Sequence, residues 1–395
     1  MASPEKHFNA SKSGLNTSLK LSKLDRVIHP FRNMPLTLNR RRWLKFKSLK
    51  RGHISFVILV TLYVVSFFLP LIVSNKALMV HYNGSTYFPA FRNLAAATFH
   101  LPVTDFYSGE KFGQFGNTGE VNYRELQRQY ATEEGTGNYV VMPLYQFGPL
   151  EDINDKNGVF VAPMTMDNNQ LRLLGTDDRG RDVFARMAYG FNISISFALL
   201  LAFIEYIIGI PIGAALGYFG GKTDLIMQRF IEIWSSLPFL FLIIIIASII
   251  QPSFGWLVIL LSLFGWISIT TYMRAEFYRE KAKDYVAAAI SIGVPTWKIM
   301  LKHILPNSLV PIITFFPFAI VAGITALVGL DFLGFGLPAP TPSWGQMMGV
   351  GLSNITKWWL VIVPLSAMFL TLLCTVFIGE GVREAFDPKV FSRLR

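Results

Sequence analysis

The sequence predicts an all-α polytopic membrane protein of six transmembrane helices, with a large external insert between the first and second and a cytoplasmic hairpin between the fourth and fifth. Three observations carry this. Of the 395 residues, 52% are hydrophobic and 14% aromatic, and mean hydropathy is +0.42, well above the level of a soluble domain. Six apolar runs approach or reach the length that crosses roughly 30 Å of hydrocarbon: Ile54 to Val73, Ile193 to Tyr218, Phe230 to Ile250, Gly255 to Tyr272, Leu309 to Leu330 and Trp359 to Ile378. The loops between them alternate in charge. Lys222 and Arg229 follow the second run, Arg274, Arg279, Lys281, Lys283, Lys298 and Lys302 separate the fourth from the fifth, and Arg383, Lys389, Arg393 and Arg395 follow the sixth. Gln251 to Phe254 carries no charge, and Gly334 to Trp358 has only Lys357 as a basic residue. By the bias of basic residues toward the cytoplasm, both termini and the fourth-to-fifth loop lie inside and the insert lies outside.

Taken in order, residues 1–53 form a basic N-terminal region, with Arg40, Arg41, Arg42, Lys45, Lys47, Lys50 and Arg51 gathered before the first run. A signal peptide would place a short apolar core near residue ten, ahead of a small-residue cleavage site. Here the apolar run begins near Ile54, so residues 54–73 read as a retained anchor. Residues 74–188 are polar, nearly balanced in charge and rich in Gly, Asn and aromatics, as in HYNGSTYFPAF and FGQFGNTGEVNY. They predict a folded external insert of short strands and turns. Inside it, Leu174 to Gly190 predicts an interfacial helix capped by Thr176 or Asp177, with Arg181 and Arg186 on its polar side. Asp177, Asp178 and Asp182 read as structural and not as a metal or catalytic group. Residues 189–395 hold the other five runs and a cytoplasmic loop at 274–308.

The stretch from Asp284 to Pro306, DYVAAAISIGVPTWKIMLKHILP, is neither a turn nor a membrane segment. Ala287, Ala288 and Ala289 favour helix and leave a smooth surface that another backbone can approach. Gly293 suits the helix C-terminus, where positive φ is wanted, and Pro295 suits the start of a new helix. In that second helix Trp297, Met300, Leu301 and Ile304 share one predicted face, with Lys298 and Lys302 on the other.

These residues carry a resemblance. Ala288, Ala289, Gly293, Leu305 and Pro306 occupy the spacing of the cytoplasmic coupling loop of permease subunits in bacterial binding-protein-dependent ABC importers. Ala287 stands where that family carries Glu, which leaves open whether a salt bridge to an ATPase forms there, and His303 stands where it carries Ile. Three further segments resemble the dipeptide/oligopeptide branch, C-type subunit. They are Gly175-Thr176-Asp177 with Gly180-Arg181-Asp182 and Gly190; Phe332 to Leu337 with Pro340 to Gly345; and the tail Gly379 to Pro388. The long insert resembles that of the Yej-type branch. The resemblance implies half of a peptide translocation path in the bacterial inner membrane. It also implies a second permease subunit (B-type), one or two ABC ATPase subunits that bind ATP and Mg, and a periplasmic solute-binding protein. Asp284, Ala287, Ala288, Ala289, Gly293, Trp297 and Pro306 are then the ATPase-coupling residues.

Several classes are disfavoured by the residues themselves. The nearest approach to a phosphate-binding loop, Gly217 to Thr223, has Leu216 where the first glycine belongs and follows an apolar helix, so no cofactor is expected in this chain. The net charge of +11 has no nucleic-acid motif beside it and is explained by the lipid bilayer. Cys374 is the single cysteine and lies in the last run, which excludes a disulfide framework. An intramembrane enzyme would need a nucleophile and base inside the spans, and the histidines lie outside them. A secondary transporter or channel not coupled to ATP remains the alternative. Glu205, mid-run in the second span, is the candidate path-lining residue, because an ionisable group there is costly. Pairing with a polar group on a neighbouring helix is the structural reading of the same residue. Asp331, and Arg229 with Glu232, read as anchors or pairs near the ends of spans.

Overall fold

A computed structural model describes residues 38–92, 94, 107–114, 120–132, 137–152, 159–167 and 170–387. The predicted N-terminal region up to residue 37, parts of the insert, and Pro388, Lys389, Arg393 and Arg395 lie outside the described residues. The chain divides into two units, Met1–Leu49 and Lys50–Arg395. In the first, α1 (Leu38–Ser48) is a basic helix on which Trp43 stacks against Phe46 and carries Lys47 over its ring.

The second unit is mainly helical. Among the described residues of the chain four helices are long and apolar enough to cross a membrane, and the number rises to six if each of two bent helix pairs counts as one span. The four are α6 (Val183–Phe219), α9 (Phe254–Lys281), the continuous helix Thr296–Phe332 that ends in α12 (Leu309–Phe332), and α14 (Trp359–Phe386). The predicted first run is interrupted. Its helix α2 (Lys50–Ser66) stops before Pro70, and a short α3 (Leu69–Ile72) follows. Proline cannot continue the ladder it enters, so a run that is apolar throughout is not one helix. The third run is broken for the same reason: α7 (Gly221–Ser235) and α8 (Phe239–Ile249) meet at 67° around Pro238.

The insert is mixed rather than strands and turns alone. Strands β1 (Met79–Tyr82), β2 (Ser85–Tyr87) and β3 (Tyr139–Val141) pair antiparallel in the order β2-β1-β3, with Val80 opposite Tyr87 and Val140. Helix α4 (Pro89–Arg92) follows the hairpin. A helix, α5 (Tyr123–Thr132), buries Tyr123, Leu126 and Tyr130 beside the sheet's Val80 and Val140. A second hairpin pairs β4 (Thr165–Asp167) with β5 (Gln170–Arg172).

Residues 174–182 form no interfacial helix. Gly175 and Gly180 take φ of +77° and +72°, and the helix begins only at Val183. Its cap is Asp182, which accepts from the Ala185 amide at 2.9 Å, and neither Thr176 nor Asp177. Arg181 and Arg186 are buried rather than set on a polar side. This corner ties to the proline-rich segment after α12. Trp344, the first residue of α13 (Trp344–Ser353), donates to Met187 O, and Trp359 donates to Thr176 O, each at 3.1 Å. Asp331 is a loop clamp and not an ion pair. Its carboxylate accepts from Leu337 N at 2.7 Å and Ser343 Oγ at 2.6 Å.

Long helices pack most closely along α6 and α9. Gly209, Gly213 and Gly217 recur every four residues on α6 and face the α9 backbone. A Cβ at Gly213 would come 2.5 Å from Thr270 O. At one end α14 abuts α12, where Gly379 meets Pro317 and Phe318.

Candidate functional site

Helix α10 (Asp284–Ser291) begins after a gap of two residues from the end of α9, and its acidic Asp284 lies in the first turn, where the helix dipole favours negative charge. Its C-terminus closes as a Schellman motif. Val294 N donates to Ala289 O at 3.1 Å, and Gly293 N donates to Ile290 O at 3.0 Å. Gly293 takes φ of +75° with open space around it, so the residue type answers to backbone conformation and not to crowding. The next helix starts at α11 (Thr296–Lys298), passes through a π turn at Ile299–Ile304 and a 3-10 turn at Leu305–Ser308, and runs on into α12. Pro306 sits in that 3-10 turn and is exposed.

The four residues expected to share one face, Trp297, Met300, Leu301 and Ile304, do not. Val286, Ala289, Ile299 and Ile304 are buried against Met273 and Phe277 of α9 and Tyr218 of α6. Trp297 and Leu301 face outward, 56% and 57% exposed. The α-helical spacing 297, 300, 301, 304 fails because the segment is a π turn. Ile299 and Ile304, five apart, point the same way in that geometry. Ala287 and Ala288 are exposed too. With Ile290, Ile292, Trp297 and Leu301 they make a small-residue shoulder rimmed by uncovered apolar side chains.

Glu280 fixes the hairpin to the span before it. This carboxylate is 2% exposed and accepts from Lys283 Nζ at 2.6 Å and from Tyr285 Oη at 2.9 Å. Asn307 closes the set, donating to Tyr285 Oη at 3.4 Å and to His303 O at 2.8 Å. Burial pushes the Tyr285 hydroxyl's pKa up and the Glu280 carboxylate adds to it, so the phenol stays a donor. Beside it, Lys281 Nζ donates to Tyr218 O at 2.6 Å near the end of α6. Arg274 grips Asp224 of α7 through two bonds of 2.6 Å. Sequence reasoning missed Glu280, Tyr285 and Asn307. Their only signal is a carboxylate at the end of a span, followed within five residues by Lys and Tyr.

Glu205 is apart from this hairpin. It lies half-buried on α6, facing Gly265 of α9, where any side chain would take the space of its carboxyl group. Arg229 and Glu232 form an exposed pair at 2.5 Å on α7.

Comparison with known proteins places this geometry. Residues 209–392, which include the whole hairpin, match the model of the family described as binding-protein-dependent transport system inner membrane component. The chain is 39% identical over 351 residues to the inner membrane ABC transporter permease protein YejE of Escherichia coli, covering 89% of this chain and 97% of that protein. The chain belongs to this permease family. The permease is also 37% identical over 372 residues to the peptidoglycan transport system permease protein YejE of Agrobacterium fabrum, covering 92% and 96% of the two chains. It is 38% identical over 236 residues to the oligopeptide transport system permease protein OppC of Haemophilus influenzae, covering 60% and 75%. These similarities bear out the reading of an ABC importer permease over the alternative of a transporter uncoupled from ATP.

Proposed function

We propose that this permease forms half of a path that imports peptide-like solutes across the inner membrane, with both termini and the 284–306 hairpin on the cytoplasmic side. A second permease subunit completes the path, partner ATPases bind ATP and Mg and seat on the hairpin, and a solute-binding protein delivers to the side carrying the 74–188 insert. The relatives support the solute class, since they are named as peptidoglycan and oligopeptide transport system permeases. The observation that carries the coupling role is the two-sided hairpin. One side is packed onto α6 and α9 and fixed through Glu280, while Ile290, Ile292, Trp297 and Leu301 are left uncovered. An uncovered apolar rim of this kind marks a surface for another protein.

In this reading Asp284, Ala287, Ala288, Ala289, Gly293, Trp297 and Pro306 present or shape the contact. The family's Glu is absent at Ala287, so apolar fit and not a salt bridge at that position holds the ATPase. Glu205 lines the path, supported by the clearance that Gly265 leaves for it. The test is a crosslink. Cys374→Ser with Ile292→Cys, assembled with its ATPase partners, is expected to crosslink to an ATPase subunit through a short bifunctional maleimide. Proteoliposomes that accumulate peptide without any ATPase would overturn the reading.

A further inference from the structure

Helix α1 carries no acidic residue, and none occurs anywhere between Asp25 and Asp105. Its charge is of one sign. Arg40, Trp43, Leu44 and Lys47 stand at i, i+3, i+4 and i+7, a spacing that places them along one face of the helix. All four are exposed, Trp43 by 45% and Leu44 by 47%. Phe46, turned away from this face, is buried. The Lys47 ammonium lies 5.4 Å from the centre of the Trp43 ring, so charge and indole are presented together.

What this face meets follows from how little chain lies beyond it. Leu49 alone separates α1 from α2, which starts at Lys50, and the apolar run read as the first anchor begins at Ile54. Four residues of helix span about 6 Å. The face is therefore tethered within reach of lipid headgroups, and Lys50 and Arg51, both exposed, continue its charge along the tether. Two half-exposed apolar side chains are too few to hold a helix in a bilayer by insertion alone, whereas each basic residue near a leaflet is drawn to anionic lipid. Charge decides the partner.

We propose that the face of α1 formed by Arg40, Trp43, Leu44 and Lys47 binds anionic phospholipid in the leaflet where the first anchor begins. Trp43 and Leu44 settle at the boundary between headgroups and acyl chains, the level that an indole prefers, and the long stems of Arg40 and Lys47 carry their charges out to the phosphates. An acidic surface on a partner ATPase is the rival occupant. The tether favours lipid, which is present at headgroup level beside any helix held so close to an anchor. This contact belongs to the chain itself and holds whatever solute the permease carries.

The test reads which lipid lies next to α1 in the complete transporter. Ser48→Cys, at an exposed position beside the face, is made in a Cys374→Ser background and labelled with a fluorescent maleimide. The permease is reconstituted with its partner subunits in phosphatidylcholine nanodiscs that contain spin-labelled phosphatidylglycerol or spin-labelled phosphatidylcholine as quencher. At low salt the phosphatidylglycerol is expected to quench about tenfold more efficiently, and Arg40→Gln with Lys47→Gln to lower that preference to about twofold. Arg41, Arg42, Lys45, Lys50 and Arg51 stay in place, so the orientation of the anchor is kept. Arg40→Lys with Lys47→Arg is expected to retain the preference, and about 0.5 M salt to abolish it in the unaltered face by screening. Equal or undetectable quenching by the two lipids, or a preference that Arg40→Gln with Lys47→Gln leaves unchanged, overturns the proposal. Quenching that appears only when the ATPase subunits are left out also overturns it, and assigns the face to an acidic surface of that partner.

Discussion

Residues in this chain do their work by what their neighbours leave out. Glu205 keeps room for its carboxyl because position 265 has no side chain, and the sequence shows the acid but not the vacancy opposite, since sixty residues separate them. Asp331 and Asp182 were visible as acids near helix ends. Their partners Ser343, Leu337, Tyr145 and Arg172 were not, because contacts of that kind follow from how loops cross and carry no periodic signal. Burial and the cap bond from Ala185 act in opposite directions on Asp182, and burial wins, raising its pKa. Glu205→Gln keeps the shape and removes the charge. If that charge contributes about 1.4 kcal/mol to passage of solute, uptake falls about tenfold while complex assembly stays unchanged. Unaltered initial uptake rates in proteoliposomes would make Glu205 a packing residue.

At the scale of elements, apolar runs located the long helices well, because a bilayer demands length and apolarity and the sequence states both. The breaks were legible only afterwards. Pro70 and Pro238 end helices that hydropathy treats as continuous. The insert was read as strands and turns, and α5 was missed although Tyr123, Leu126 and Tyr130 keep a helical spacing, because its ten residues are mostly polar and read as loop. Strand β1 pairs with β3 across 56 intervening positions, which no local pattern records. The helix–turn–helix follows from the alanines, Gly293 and Pro295, but the common face expected for Trp297, Met300, Leu301 and Ile304 is not kept, because a π turn is invisible in residue type. Gly293→Val forces a β-branched side chain into φ of +75°, at a cost of about 1–2 kcal/mol. Since a Cβ there meets nothing, the strain is confined to the turn. The variant is expected to reach the membrane at normal levels and to lose most ATP-driven uptake, measured against membrane-fraction immunoblots. Normal uptake would show that the turn need not be rigid.

At the scale of the whole molecule, the charge alternation makes a statement about sides that labelling can check. In a Cys374→Ser background, Ser85→Cys at the tip of the insert's first hairpin is expected to react with a membrane-impermeant maleimide added to spheroplasts. Ile292→Cys is expected to react only after permeabilisation, and the reverse pattern would invert the molecule. The continuous helix from Thr296 to Phe332 has a further consequence. At 1.5 Å per residue its 37 residues reach about 55 Å, with the exposed rim near one tip and the Asp331 clamp at the other. Pro317 stands near the middle and rests on Gly379 of α14. If a partner presses on the hairpin as proposed, a beam propped at its centre acts as a seesaw, and the loop at residues 333–343 is expected to swing opposite to the hairpin.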